Sequence, residues 1–170
     1  MTDRRRRFEA QILLHLDAAY RFARWLSATP GHADDVVQDA VLRAFRSFDA
    51  FKGGDARAWL FAIVRNCHAT AIAQQRQRAF VSLDHEVLVT PDAGPEDVAL
   101  QQDASQAVAR LLSALAPEHR EVLVLRELEE MSYAEIADVL EIPLGTVMSR
   151  LARARCALKA LTANPPGAQA

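Results

Sequence analysis

Glycine is scarce in this chain, six residues in 170, and no stretch alternates apolar and polar residues for long. With Ala, Leu, Arg and Glu abundant as well, an all-α protein is expected. Cysteine is scarcer still. Cys67 and Cys156 belong to no CxxC or CxxxC pair, which excludes a disulfide framework and leaves a zinc site short of ligands. The histidines His15, His32, His68, His85 and His119 are scattered, so no metal site and no cofactor are expected. No apolar run approaches the roughly 20 residues that span a bilayer, and MTDRRRRFEA lacks the apolar segment of a signal peptide. The expectation is no membrane insertion and a cytoplasmic location. A phosphate-cradling glycine loop and a nucleophile beside a base are both missing, so no catalytic residues are assigned and an enzyme is not expected.

With 51% hydrophobic residues the chain can bury a real core, as one domain or two small ones. Its net charge of −2 conceals an uneven distribution. Residues 1–78 hold 13 Lys/Arg against 8 Asp/Glu, whereas residues 79–100 hold no base and five acids: Asp84, Glu86, Asp92, Glu96 and Asp97. Local basic surfaces on a neutral bulk fit a protein that meets nucleic acid at selected faces.

The stretch Ser132–Lys159 reads as a helix-turn-helix. Ser132 and Glu135 form a capping-box pattern, each able to satisfy a backbone N–H that an opening helix leaves unpaired. Ile136, Val139 and Leu140 supply an apolar face, and Pro143 and Gly145 are expected to stop that helix and make the turn, with the next beginning near Thr146. There Val147, Leu151, Ala154 and Leu158 share one stripe, while Arg150, Arg153, Arg155 and Lys159 occupy other faces with no acid among them. Such a helix suits DNA phosphates and guanine edges, although paired amphipathic helices also occur in domains that never touch DNA.

Upstream, the Arg4–Arg7 run reads most simply as a flexible solvated arm. A helix follows from Phe8, with Ile12, Leu16, Ala19, Tyr20 and Ala23 facing a core, ending near Pro30-Gly31. Asp34 and Asp35 are placed in the first turn of a second helix that runs to about Phe48. Val37, Val41, Ala44 and Phe48 face inward, with Val36, Ala40 and Phe45 beside them; Asp35, Gln38, Asp39, Leu42, Arg43 and Arg46 face outward. Phe51-Lys52-Gly53-Gly54-Asp55 reads as a loop, with Asp55 capping a third helix that buries Trp59, Leu60, Ile63, Val64 and Cys67. Arg57, Arg65, Asn66, Gln74, Gln75, Arg76 and Arg78 give that helix a basic, amide-bearing surface. A glycine loop leading into such a helix is suited to unstacked single-stranded bases. Residues 79–94 read as an acidic linker between a domain at 8–78 and a second at 95–162. In the latter a helix starts at Pro95 and continues through Val108, Leu111, Leu112 and Leu115; another starts at Pro117 and carries Val122, Leu123, Leu125 and Leu128.

Three ordered motifs, ADDVVQDAVLRAFRSFDAF, DARAWLFAIVRN and LAPEHREVLVLRELEEMSYAEIADVLEIPLGTVMSRLARAR, make residues 8–162 resemble the extracytoplasmic-function (ECF) sigma factors. These are the small two-domain group of the sigma-70 family that directs RNA polymerase to promoters. The resemblance implies that Asp35, Gln38, Asp39 and Arg43 contact the clamp of core RNA polymerase. It implies that Phe51, Lys52, Gly53, Gly54 and Asp55 capture a flipped base of the minus-ten element, with Asn66 beside that pocket. Capture requires contacts that offset an unstacking cost of about a few kcal/mol. The linker is expected to thread toward the RNA exit path, and the last helix to enter the major groove of promoter DNA at the minus-thirty-five element. Helix geometry makes Thr146, Ser149, Arg150 and Arg153 the groove-facing candidates. An anti-sigma factor is an expected partner. Glu130 and Glu141 stand where the family commonly has glycine, and Met148 where a lysine or arginine is frequent; these departures leave the promoter sequence open. A stand-alone helix-turn-helix regulator is the alternative, but it leaves the outward face of the second helix and the glycine loop without a use.

Overall fold

The computed structural model describes residues 3–27, 30–81 and 101–163, and these are helical with short connections and no strand. The expected all-α class is what is found. The chain divides into two compact units, Met1–Asp92 and Ala93–Ala170.

In the first unit, α1 (Asp3–Gln11) is followed by a 3-10 turn at Leu13–His15 and α2 (Leu16–Leu26). The arginine run is therefore not a loose arm. Arg4 donates to the carbonyls of Phe45 (2.6 Å) and Arg46 (3.3 Å) and pairs with Asp49 at 3.1 Å, closing the carbonyl end of a neighbouring helix. Phe8 packs edge-on against Phe45 and Phe48, at 5.1 and 5.3 Å between ring centres. These contacts hold a short, polar helix that has little stability of its own. The tight turn also breaks the single helix expected from Phe8 onward, and the buried face of α2 centres on Ala19, Phe22, Ala23 and Leu26, which leaves Tyr20 38% exposed instead of in the core.

Next, α3 spans Pro30–Ser47, with a 3-10 turn at Phe48–Ala50. It starts four residues before Asp34, because a proline costs nothing at the first helical position, where its missing N–H would be unpaired anyway. Asp34 and Asp35 thus sit in the second turn. α4 runs from Ala56 to Val81, three residues past the expected domain end at Arg78. Residues 82–94 of the expected linker and the start at Pro95 lie outside the described residues, as does the C-terminal tail after Ala163. The core joins α2, α3 and α4 through Phe22, Val36, Ala40, Leu60, Val64 and Cys67. Within it Phe22 stacks on Phe61 at 5.0 Å between ring centres. Phe61, fully buried, is a core residue that the pattern Trp59, Leu60, Ile63 and Val64 leaves out.

The second unit contains α5 (Gln101–Ser113), α6 (Pro117–Leu123), a π-turn at Val124–Leu128, α7 (Tyr133–Leu140) and α8 (Leu144–Ala163). Val122, Leu123, Val124 and Leu125 are buried, as are Met131, Ile136, Val139, Leu140, Val147 and Leu151, and together they make the core of this unit. The wider π-turn, in which the Glu129 N–H donates to the Val124 carbonyl at 3.0 Å, shifts the helical phase. Leu128 consequently turns outward (42% exposed) instead of continuing the apolar stripe, and the neighbouring Glu129 is buried. Val108 is likewise exposed at 42%, while Leu112 and Leu115 pack inward as expected. Arg120 closes α5 by donating to the carbonyls of Leu112, Ser113 and Leu115.

Candidate nucleic-acid interfaces

The helix-turn-helix opens on the expected capping box: the Glu135 N–H donates to Ser132 Oγ at 3.2 Å and the Ser132 N–H to the Glu135 carboxylate at 2.6 Å. The turn is made differently from the expectation. Glu141 adopts the left-handed conformation (φ 53°), its N–H reaching the Asp138 carbonyl while the Ile142 N–H reaches that of Ala137 at 3.1 Å. This is the bond pattern that usually ends a helix on glycine. Pro143 does not stop α7. Its carbonyl accepts the N–H groups of Thr146 and Val147, so it opens α8, and Gly145 is an ordinary residue of the first turn.

Val147, Leu151 and Ala154 are buried and Leu158 half-buried, which fixes the rotation of α8 about its axis. Ser149, two residues from Val147, lies about 200° away at 100° per residue, on the outer face with Arg153. The two are joined, Arg153 donating to the Ser149 carbonyl and hydroxyl at 3.3 Å each. Thr146 and Arg150 are half-buried on one flank, and Met148 and Leu144 lie on the other, exposed at 53% and 49%. Arg155 is committed elsewhere, pairing with Glu127 at 2.7 Å. Of the cations expected to face DNA, Arg153 is the one on the outer axis of the helix. Arg126, which sequence reasoning passed over, ties the connection before α7 by donating to the Met131 carbonyl at 2.8 Å and lying 5.2 Å over the Tyr133 ring.

In the first unit the loop between the 3-10 turn and α4 is held at both ends. On one side the Phe51 N–H donates to the Phe48 carbonyl at 3.0 Å; on the other Asp55 Oδ1 accepts from Arg57 (2.9 Å) and Ala58 (3.0 Å), the expected cap. Phe51 lies 4.9 Å from Trp59 and 6.2 Å from Phe48, a run of rings under the loop. Trp59 is only half-buried. Gly53 and Gly54 take φ values of 89° and 101°, which side-chain-bearing residues rarely adopt, although a Cβ at either would meet nothing within 4 Å. The requirement is therefore one of backbone conformation and not of space. Lys52 is exposed. Asn66, also exposed, lies ten residues into α4, about 15 Å along its axis from the loop end.

The outer face of α3 presents Asp35, Gln38, Leu42 and Arg43, with Leu42 49% exposed. Asp39 is half-buried and paired with Arg43 at 2.8 Å. A groove of about 600 Å³ runs between α3 and α4, lined by His32, Asp35, Asp39, Cys67, Ile72 and Arg78 among others. At its floor, burial pushes the Cys67 thiol up to about 11. The described residues contain no group of His, Cys, Asp and Glu arranged to hold a metal ion, and no helix among them is long and apolar enough to cross a membrane.

Both units match known families. Residues 12–78 match the model for Sigma-70 region 2, and residues 105–158 that for Sigma-70, region 4. The ECF RNA polymerase sigma-E factor of Escherichia coli (strain K12) is 34% identical over 139 residues, covering 75% of this chain and 72% of the relative. The sigma factor RpoE from Bartonella quintana, solved in complex with the anti-sigma factor NepR, superposes with a TM-score of 0.74 at 30% identity, over 93% of this chain and 98% of its own. CnrH, solved with the cytosolic domain of CnrY, gives 0.68 at 29%, over 94% and 89%.

Proposed function

Because the chain belongs to the ECF sigma factors of the sigma-70 family, and so is a promoter-recognising subunit of RNA polymerase, we propose how its two units divide that work. The outer face of α3, carrying Asp35, Gln38, Asp39 and Arg43, docks on the clamp of core polymerase. The Asp39–Arg43 pair presets both side chains for a charged partner. The Phe51–Asp55 loop captures an unstacked base of the minus-ten element, with Asn66 further along the same strand. The observation that carries this is the loop itself: paired left-handed glycines over the Phe51 and Trp59 rings, fixed by Asp55. α8 reads the minus-thirty-five element, with Ser149 and Arg153 at the base edges and Thr146 and Arg150 along the groove wall. The work is done in the cytoplasm, on promoter DNA, and involves no covalent chemistry by the chain.

An anti-sigma factor is proposed as the regulating partner; the Bartonella relative is solved in complex with one. Residues 82–94 act as the linker between a first domain that α1 and α4 extend to 3–81 and a second at 95–162. The test is run-off transcription with core polymerase: the chain should direct defined start sites, and substitution of Gly53 and Gly54 by valine should abolish them while leaving polymerase binding intact. Tight operator binding by the chain alone, with no promoter-dependent transcript, would favour a stand-alone regulator instead.

A further inference from the structure

The arginine run at the N-terminus is not used by any of the three contacts above. Its four members differ in what they do. Arg4 closes α3, and Arg5 pairs with Glu9 at 2.9 Å. Arg6 and Arg7 are exposed and have no ion pair among the described residues. At 100° per residue Arg6 stands about 200° round α1 from the docked Arg4, whereas Arg7 stands about 60° from it, on the docked side. There its guanidinium lies 5.8 Å from the centre of the Phe48 ring, and Phe48 is the ring stacked against Phe51 at the mouth of the loop. Phe8 and Arg4 lock the helix, so Arg7 is presented at a fixed place. Lys52 adds an exposed cation within the loop itself.

We infer that Arg7, together with Lys52, holds phosphates of the single DNA strand whose base enters the Phe51–Asp55 loop, so that α1 is a further part of the minus-ten contact. The inference rests on the reading of that loop as a base-capturing site. A cation beside a run of rings is the pairing by which proteins hold single strands without regard to sequence: rings take the bases and cations the backbone. The alternative occupant, an acidic surface of the polymerase, has nothing to do with those rings.

Phosphate contacts are sequence-independent, so a labelled random-sequence single-stranded DNA pool serves as the probe, with the full chain titrated at several salt concentrations. Each phosphate contact contributes about 0.7 to the slope of log affinity against log salt on single strands. Arg7→Ala and Lys52→Ala should each lower the slope by about that much, and the double variant by about 1.4. Arg7→Lys should keep it, and Arg6→Ala, which removes the same charge from the other side of α1, should leave it unchanged. Equal slopes for wild type and Arg7→Ala would overturn the inference. So would equal losses in Arg6→Ala and Arg7→Ala, which would mean undirected attraction. A fall in affinity for core polymerase at unchanged slope would assign Arg7 to a protein contact, and a fall in thermal midpoint alone would make it a packing residue. If the wild type captures no single strands, the base-capturing reading of the loop falls too; binding with an unchanged slope in Arg7→Ala overturns this inference alone.

Discussion

Glu130 and Glu141 hold φ values of 55° and 53°, in the left-handed region where a Cβ costs about 1–2 kcal/mol. They are also the two positions at which the family resemblance calls for glycine. Glycine would relieve the strain at the expense of a larger loss of chain entropy on folding, so Glu130→Gly and Glu141→Gly should each stabilise the second unit by a net of about 0.5–1 kcal/mol. A higher urea midpoint checks this; a lower one contradicts it. The strain was only half legible in the sequence. Pro143 and Gly145 drew the turn toward themselves because proline and glycine are the usual punctuation, whereas a glutamate in a left-handed turn carries no compositional mark. The two cysteines differ in a similarly testable way. Cys67 is buried, with its thiol raised to about 11, and Cys156 is exposed. Because the thiolate is the reactive form, a thiol reagent at pH 8 should modify Cys156 at once and Cys67 only on unfolding. The raised pKa also has a sign for stability. An unfolded thiol ionises near 9 and the folded one near 11, so the first unit should lose stability as pH rises between those values.

At the scale of the element, α8 shows how far helical spacing can be trusted. The buried stripe of Val147, Leu151 and Ala154 followed from periodicity, and it fixes Ser149 and Arg153 on the opposite face. Periodicity says nothing about pairing across the fold, which is why Arg155 was counted among the cations facing DNA when Glu127 holds it. The same limit explains Leu128, since one π-turn displaces the phase of every residue after it. Two predictions concern α8. An arginine reading a guanine contributes about 1–3 kcal/mol of discrimination, so Arg153→Ala should narrow the difference in binding between the cognate minus-thirty-five element and its variants; an equal loss on all sequences would make it a phosphate contact. Met148→Arg should restore a cation on the flank of the helix, raising duplex affinity and steepening the salt slope by about 0.9. α1 failed in the opposite direction, a solvated arm by composition but a docked helix in fact. The signal was Phe8, one turn after Arg4 on the same side, and it becomes informative only once Phe45 and Phe48 are known to lie beneath it.

For the whole molecule, the legible part was the architecture: helices throughout, a glycine loop in the first unit and a helix-turn-helix in the second, in that order. Among the described residues few cations of α8 are exposed and free of an ion pair, Met148 stands where the family resemblance puts a further one, and the second unit carries more acids than bases. On the proposed division of work, promoter recognition needs two DNA contacts joined through polymerase, neither sufficient alone. The most direct measurement is to map transcript 5′ ends after overproduction of the chain and align the sequences upstream. On that division, new start sites sharing two short motifs at fixed spacing are expected, with the upstream motif alone lost in Arg153→Ala. New transcripts with no shared pair of motifs, or with a single palindromic operator in their place, would contradict it.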